Sequence, residues 1–299
     1  MTENSSTASG STVPRRQLGR YLRDLRQQAG MTIAEVARLI RRGASSVQRL
    51  ETGSNERIRL DDVEAICRVI GADETTTEAL IGLAQQGNTK SWYHQYGDLI
   101  PASFDVYMGL ESAAASMTSY LELVPGILQT PEYARALYRA GHPDESDNEI
   151  ARRVELRIRR QILIKRKTSP VRINAILDET ILRRRIGDRR IMSAQLRHLA
   201  DLSTRENITI RILPHSAGVP LGELTGPFII LDSATEDDGV PLEPSVVYVE
   251  SYRGALYYEE EVDVRAYRAA HEALGRVALT AQASRDLLRK TAREYARER

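Results

Sequence analysis

Four side chains in one short stretch, Ala44, Ser45, Gln48 and Arg49, have types and spacing that could read an ordered polar surface. At helical spacing they share a face, with no large apolar residue among them. Gln pairs its donor and acceptor with adenine, Arg forks onto guanine, and small residues at a helix start permit close backbone approach. A second set has the chemistry to hold phosphates. Arg57 and Arg59 bring charge from a loop, the amides of Thr32 and Ile33 open a helix, and Ser46 and Thr52 carry hydroxyls beside them. Together these residues point to readout of double-stranded DNA.

Catalytic chemistry finds little support. His94, His142, His198, His215 and His271 are scattered without metal-ligand spacing, and no paired cysteines, phosphate loop or nucleophile elbow occurs. Asp178-Glu179, His215 and Glu250 fall at the ends of strand-like runs and could converge in a cleft. Acids at 178–179 also suit the start of a helix, which accounts for them without chemistry. We therefore expect no enzyme activity, cofactor or metal. Cys67 lies among Val63, Ile66 and Ile70 at helical spacing and reads as core.

The elements that must position the first set are short helices. Thr32 with Glu35 forms a capping box, and Val36, Ala37 and Ile40 give the helix a buried side. Arg42-Gly43 is the turn, the glycine supplying backbone freedom. The next helix runs from about Ala44 to Glu51, with Val47 and Leu50 inward, and Gly53 ends it. An amphipathic helix, Arg15 to Ala29, precedes them: Leu18, Tyr21, Leu22 and Leu25 pack inward and its arginines face out. Helices over Leu60 to Ile70 and Asp73 to Gln86 follow the loop at 54–59. Residues 1–14 are polar and read as a disordered tail.

The stretch TIAEVARLIRRGASSVQRLETG at 32–53 resembles the Cro/C1-type (Xre) helix-turn-helix, with Gly43 where the family often has a Ser or Thr cap. The resemblance implies a five-helix DNA-binding domain, 15–86. It also implies a loop arginine at the backbone or minor groove, for which Arg57 and Arg59 are the candidates. Charge agrees. Between Arg15 and Leu60 eleven arginines face four acids, a local +7 in a chain whose net charge is only +1. One helix makes too few base contacts for tight specificity, so a homodimer on a two-fold operator is expected. No apolar run approaches a membrane span and the N-terminus lacks an apolar signal core, so the expected location is the cytoplasm, at the nucleoid when DNA is bound.

After Gly87 the texture changes. Residues 87–99 read as a linker and 100–299 as a second domain. Helices are expected at Tyr107 to Leu123, Thr130 to Ala140 and Ser146 to Lys165, the last with apolar Ile150, Val154, Ile158 and Ile162 four apart. Its arginines between 152 and 160 read as a solvated or salt-bridged face. VRINAIL, ITIRIL, FIILD and VVYVES read as strands, with helices at Asp178 to Arg185 and Asp188 to Leu202 between the first two. Two more helices, from about Val262 and Ser284, close the chain. The fold class is thus mainly α, in two domains: the five-helix domain, then an α+β domain with a small mixed sheet.

Several phrases of this second domain resemble one family, the WhiJ-like regulators. They are LELVPGILQTPEYARAL at 121–137, RRVELRIRRQ at 152–161, LDETILRRRIG at 177–187, IRILP at 210–214 and VVYVES at 246–251. The resemblance implies transcriptional regulation, often alongside a small partner protein encoded nearby, and supplies no catalytic residues. The C-terminal domain would sense a ligand or such a partner. An antitoxin-like module that captures the partner and autoregulates its operon is the alternative, with the acidic loop 236–243 and the arginines of 152–160 as docking surfaces.

Overall fold

The computed structural model describes residues 12–55, 57–89, 92–100, 102–235, 241, 243–252 and 254–297. The chain divides into two compact units, one ending at Leu110 and the other beginning at Glu111. Most of the tail expected at 1–14 lies outside the described residues, but Thr12–Pro14 already belong to the first helix.

Five helices build the first unit: α1 (Thr12–Gln28), α2 (Ile33–Leu39), α3 (Ala44–Glu51), α4 (Leu60–Ile70) and α5 (Glu74–Asn88). Their apolar stripes meet in one core that includes Leu18, Leu22, Val36, Val47, Leu50, Ile58, Val63, Cys67 and Leu80. Three features depart from the sequence reading. Tyr21, expected to pack inward, is 47 % exposed. The arginines of α1 do not all face out: Arg15 and Arg26 are buried. Gly87 and Asn88, expected to open a linker, are the last turn of α5. A 3-10 stretch follows over Trp92–Leu99.

The expected helix over Tyr107–Leu123 is two elements: α6 (Ala102–Ala113), which runs across the division at Leu110, and a strand of the second unit, β1 (Ala114–Leu121). Spacing of Leu110, Ala113, Ala114 and Met117 imitates a helix. The ladder on both sides of β1 overrides that local pattern. A mixed six-stranded sheet forms from β1, β2 (Arg172–Asp178), β3 (Ile208–Leu213), β4 (Phe228–Ser233), β5 (Val246–Ser251) and β6 (Gly254–Tyr258), in the order β3-β2-β1-β4-β5-β6. β1, β2 and β3 run parallel, and the rest pair antiparallel. Helical crossovers make the parallel part possible. The first contains α7 (Pro131–Gly141), α8 (Asp147–Arg159) and α9 (Ile162–Lys165), and the second contains α10 (Thr180–Arg183) and α11 (Arg189–Leu202).

The 146–165 helix is broken at Arg160–Gln161, so Ile150 and Val154 are buried while Ile162 leaves the seam and is 62 % exposed. The 178–185 helix shrinks to the four residues of α10. One face of the sheet, through Tyr120, Ile176, Phe228, Ile230 and Val247, packs on Val264 and Leu274 of α12 (Glu261–Val277). The final helix, α13 (Ala281–Arg297), packs on α11, where the Ser193 hydroxyl donates to the Ala292 carbonyl at 2.8 Å.

The phrases that carry the second resemblance turn out to be fastenings. Gln129 donates to the Val124 carbonyl at 2.7 Å, and its own carbonyl accepts from Gln161 at 2.6 Å. Gln195 accepts from the Thr130 amide and donates to the Leu128 carbonyl. Three of the arginines of 152–160 join in. Arg153 pairs with Glu145, and Arg157 lies 4.2 Å over the Tyr138 ring and donates to Gln129. Arg160 grips Glu111 with two bonds of 2.6 Å, both residues buried. Of the other docking surface suggested by the sequence, 236–243, only Pro241 and Glu243 are described.

Candidate nucleic-acid interface

α2 begins where Thr32 and Glu35 close the expected capping box. The Glu35 amide donates to the Thr32 hydroxyl, while the Thr32 amide donates to the Glu35 carboxylate at 2.8 Å. Those hydrogen bonds hold the Glu35 carboxyl below its usual range. They also correct one expectation: the Thr32 amide is already committed, so a phosphate at this helix end would meet the amide of Ile33.

The turn into α3 is made differently from the expectation. Arg41, not Gly43, adopts the left-handed conformation, at φ 55°. Gly43 is extended and caps α3 without a side-chain bond. Arg42 holds the turn to the start of α4 through Asp62, at 2.9 Å. Its cation is therefore paired and is not free for phosphate.

On α3, Val47 and Leu50 are buried, and Ala44, Ser45, Gln48 and Arg49 are all exposed on the opposite side; Ser46 is half-buried. Its far end is held from α1. Arg26 donates to both carboxylate oxygens of Glu51, and Arg23 donates to the Glu51 carbonyl at 3.2 Å. Gly19 lies so close that a Cβ there would stand 2.5 Å from that same carbonyl oxygen. Gly53 follows at φ 67°, against the backbone of Arg16. Thr52 is exposed, but its hydroxyl is shared between the Arg49 carbonyl at 3.1 Å and Ser54 at 2.8 Å, which competes with any phosphate.

The loop after α3 is anchored by a residue that the sequence reading had placed in a linker. Asn88 accepts from the Ile58 amide at 2.8 Å and donates to the Ile58 carbonyl at 2.7 Å. Ile58 is buried, so its neighbours Arg57 and Arg59 are turned outward. The two arginines line one concavity with Ser46, Arg49 and Asn55. Among the described residues, Arg49, Arg57 and Arg59 make no hydrogen bond or ion pair through their side chains, and the Asn55 amide oxygen is buried without a partner. Nothing local in the sequence singles out Asn88 or Glu51, because each acts through a residue distant along the chain.

The alternative cluster forms in part. Asp178, Thr180 and His215 meet: the imidazole Nε2 lies 3.1 Å from the Thr180 hydroxyl and 3.3 Å from Asp178. The Glu179 carboxylate accepts from the His215 amide. Burial would raise the Asp178 carboxyl, but bonds from Thr180 and the nearby imidazole hold it low. One ring nitrogen serves both neighbours, whereas a nucleophile–base–acid relay needs the two nitrogens separately engaged. Glu250 does not join; β5 is three strands from β2, roughly 14 Å at ~4.8 Å per strand. Among the described residues no His, Cys, Asp and Glu group could hold a metal, and no helix is long and apolar enough to cross a membrane.

Comparison with known proteins agrees with both halves. Residues 17–80 match the model of a helix-turn-helix domain, and residues 104–290 match that of a domain of unknown function, DUF5753. No curated protein matches the chain. The helix-turn-helix domain supports, at a coarse level, a DNA-binding regulator. Since the longer match spans most of its length, the chain belongs to the DUF5753 family, and it carries a helix-turn-helix domain ahead of that region.

Proposed function

We propose that the chain is a sequence-specific transcriptional regulator of the Cro/C1 (Xre) type, which lays α3 in the major groove of a two-fold operator. Ala44, Ser45, Gln48 and Arg49 face the bases. Arg57, Arg59, Ser46 and the Ile33 amide take the flanking phosphates, Thr52 doing so only after giving up its bond within the chain. One observation carries this reading: Arg49, Arg57 and Arg59, without acid partners among the described residues, share a concavity beside the exposed, apolar-free face of α3. A homodimer supplies the second half-site, and the C-terminal unit biases binding through a ligand or small protein, in the cytoplasm.

The test is a pair of substitutions. Arg49→Ala is expected to cost ~1–3 kcal/mol on the preferred duplex and to relax preference at one base position. Arg59→Ala is expected to weaken all duplexes alike and to reduce the salt dependence by about one ion. Equal behaviour of the two variants would contradict the division of roles.

A further inference from the structure

The second unit holds a cationic surface that the reading above does not use. Between α10 and α11 the chain runs Arg183-Arg184-Arg185-Ile186-Gly187-Asp188-Arg189-Arg190, five arginines to one acid, in a protein whose acids and bases otherwise nearly balance. Asp188 is itself occupied, its carboxylate capping α11 by accepting from the Ile191 amide at 2.9 Å. Arg184, Arg185 and Arg190 are exposed and, among the described residues, make no hydrogen bond or ion pair through their side chains. Arg183 has only a long, solvent-exposed contact with Glu294, at 3.7 Å. Arg183, Arg185 and Arg189 line a cleft closed by Glu294 and Tyr295.

The loop that presents them is fixed. Gly187 sits at φ 66°, where a Cβ would stand 2.6 Å from the Ile191 side chain and 3.2 Å from that of Ala136. The Ile186 amide donates to the Met192 sulfur at 3.4 Å, and the Tyr295 hydroxyl donates to the Leu182 carbonyl at 3.1 Å. Stability does not explain the charges. Arg189 and Arg190 occupy the first turn of α11, where the helix dipole disfavours cations, and no acid accompanies them within that turn.

We infer that this arginine loop is a second contact surface for DNA, binding the phosphate backbone without reading sequence. The exposed guanidinium groups of Arg184, Arg185 and Arg190, without acid partners among the described residues, suit closely spaced phosphate oxygens, and arginine is the side chain whose planar fork matches them. The inference rests on the DNA-binding reading of the first unit, but makes a different demand. Bases are read by α3 alone, while the loop adds affinity that salt erodes.

The experiment measures affinity of the full chain for its preferred duplex and for a random-sequence duplex, each across a series of salt concentrations. The triple variant Arg184→Gln, Arg185→Gln, Arg190→Gln is expected to lower the slope of log K against log salt by ~2–3 on both duplexes, at ~0.9 per phosphate lost. The ratio of the two affinities should stay unchanged. The corresponding triple Lys variant should keep most of the slope. In the unaltered protein, arginine-directed modification by phenylglyoxal should be slowed at 184, 185 and 190 when duplex is present. An unchanged slope, or equal phenylglyoxal reactivity with and without duplex, overturns the inference even if the Gln variant folds poorly. Loss of the affinity ratio alone, in Arg49→Ala, bears on the readout by α3 and leaves the loop contact standing.

Discussion

Arg26 of α1 holds Glu51, the last residue of α3, by two charge-assisted bonds of 2.6 and 2.9 Å, with both side chains buried. The pair fixes the angle of α3, because a two-pronged guanidinium–carboxylate contact has one good geometry. The hydrogen bond to Glu51 also raises the Arg26 pKa. Glu51→Ala leaves an uncompensated buried cation, and should destabilise the first unit by about 3–5 kcal/mol. Arg26→Met with Glu51→Leu should recover much of that loss, since the desolvation cost disappears with the pair. Urea titration followed by circular dichroism measures both, and a Glu51→Ala loss below 1 kcal/mol would show that the pair is dispensable.

Gly19 should tolerate no side chain. A Cβ there would lie 2.5 and 2.7 Å from two carbonyl oxygens at the end of α3, and backbone cannot step aside as a side chain can. Gly19→Ala is expected to destabilise by several kcal/mol despite alanine's higher helix propensity, whereas Gly82→Ala in α5, with nothing within 4 Å, should stabilise by ~0.5–1 kcal/mol. Thermal midpoints of the two variants should therefore move in opposite directions.

Arg41 carries the opposite imbalance. A residue with a Cβ held at φ 55° costs ~1–2 kcal/mol, which glycine avoids. Arg41→Gly should stabilise by about 0.5–1 kcal/mol once the freedom it adds to the unfolded chain is subtracted. Gly43→Ser, which supplies the missing cap of α3 and whose Cβ would meet only Ser45 at an ordinary 3.7 Å, should add a few tenths. A fall in stability for Arg41→Gly would mean that the arginine makes a compensating interaction.

Acid should weaken the second unit before its carboxylates protonate. Burial pushes the imidazoles of His198 and His271 below the ordinary histidine range. An unfolded chain then binds protons that the folded one refuses. Stability is full above the unfolded histidine pKa, ~6.5, and declines as pH falls from there toward the depressed folded values. The Asp232 carboxyl is also held low, where bonds from Ser245, Arg268 and Ser116 outweigh the effect of burial, so a second loss follows below its unfolded pKa, ~3.9. Midpoints measured from pH 7.5 to 5 should fall, and His198→Asn with His271→Asn should flatten that slope even if it lowers the midpoint throughout.

What could be read from the sequence was whatever is written locally. Capping pairs such as Thr32 with Glu35 and Ser146 with Glu149 lie three residues apart, and the structure forms both boxes. Four strands rich in branched residues appear where expected, at β2, β3, β4 and β5. Strand β1, AASMTSYL, has too few such residues to show itself, and depends on β2 and β4 for its conformation. The short GALYY of β6 is likewise fixed by its hairpin with β5. Exposure of Ala44, Ser45, Gln48 and Arg49 followed from helical spacing alone. Which arginines are bound did not: Arg26, Arg42 and Arg160 find carboxylates 20 to 49 residues away, and nothing in a charge pattern marks such partners.

The most direct trial of the central claim is selection of bound duplexes from a randomised pool by the full chain, repeated with Arg49→Ala. The account predicts enrichment of an inverted repeat whose half-sites lie about one helical turn apart, with one position of each half-site losing its preference in the variant. Recovery of an unenriched pool at moderate salt would contradict it, as would the same motif with and without the Arg49 side chain.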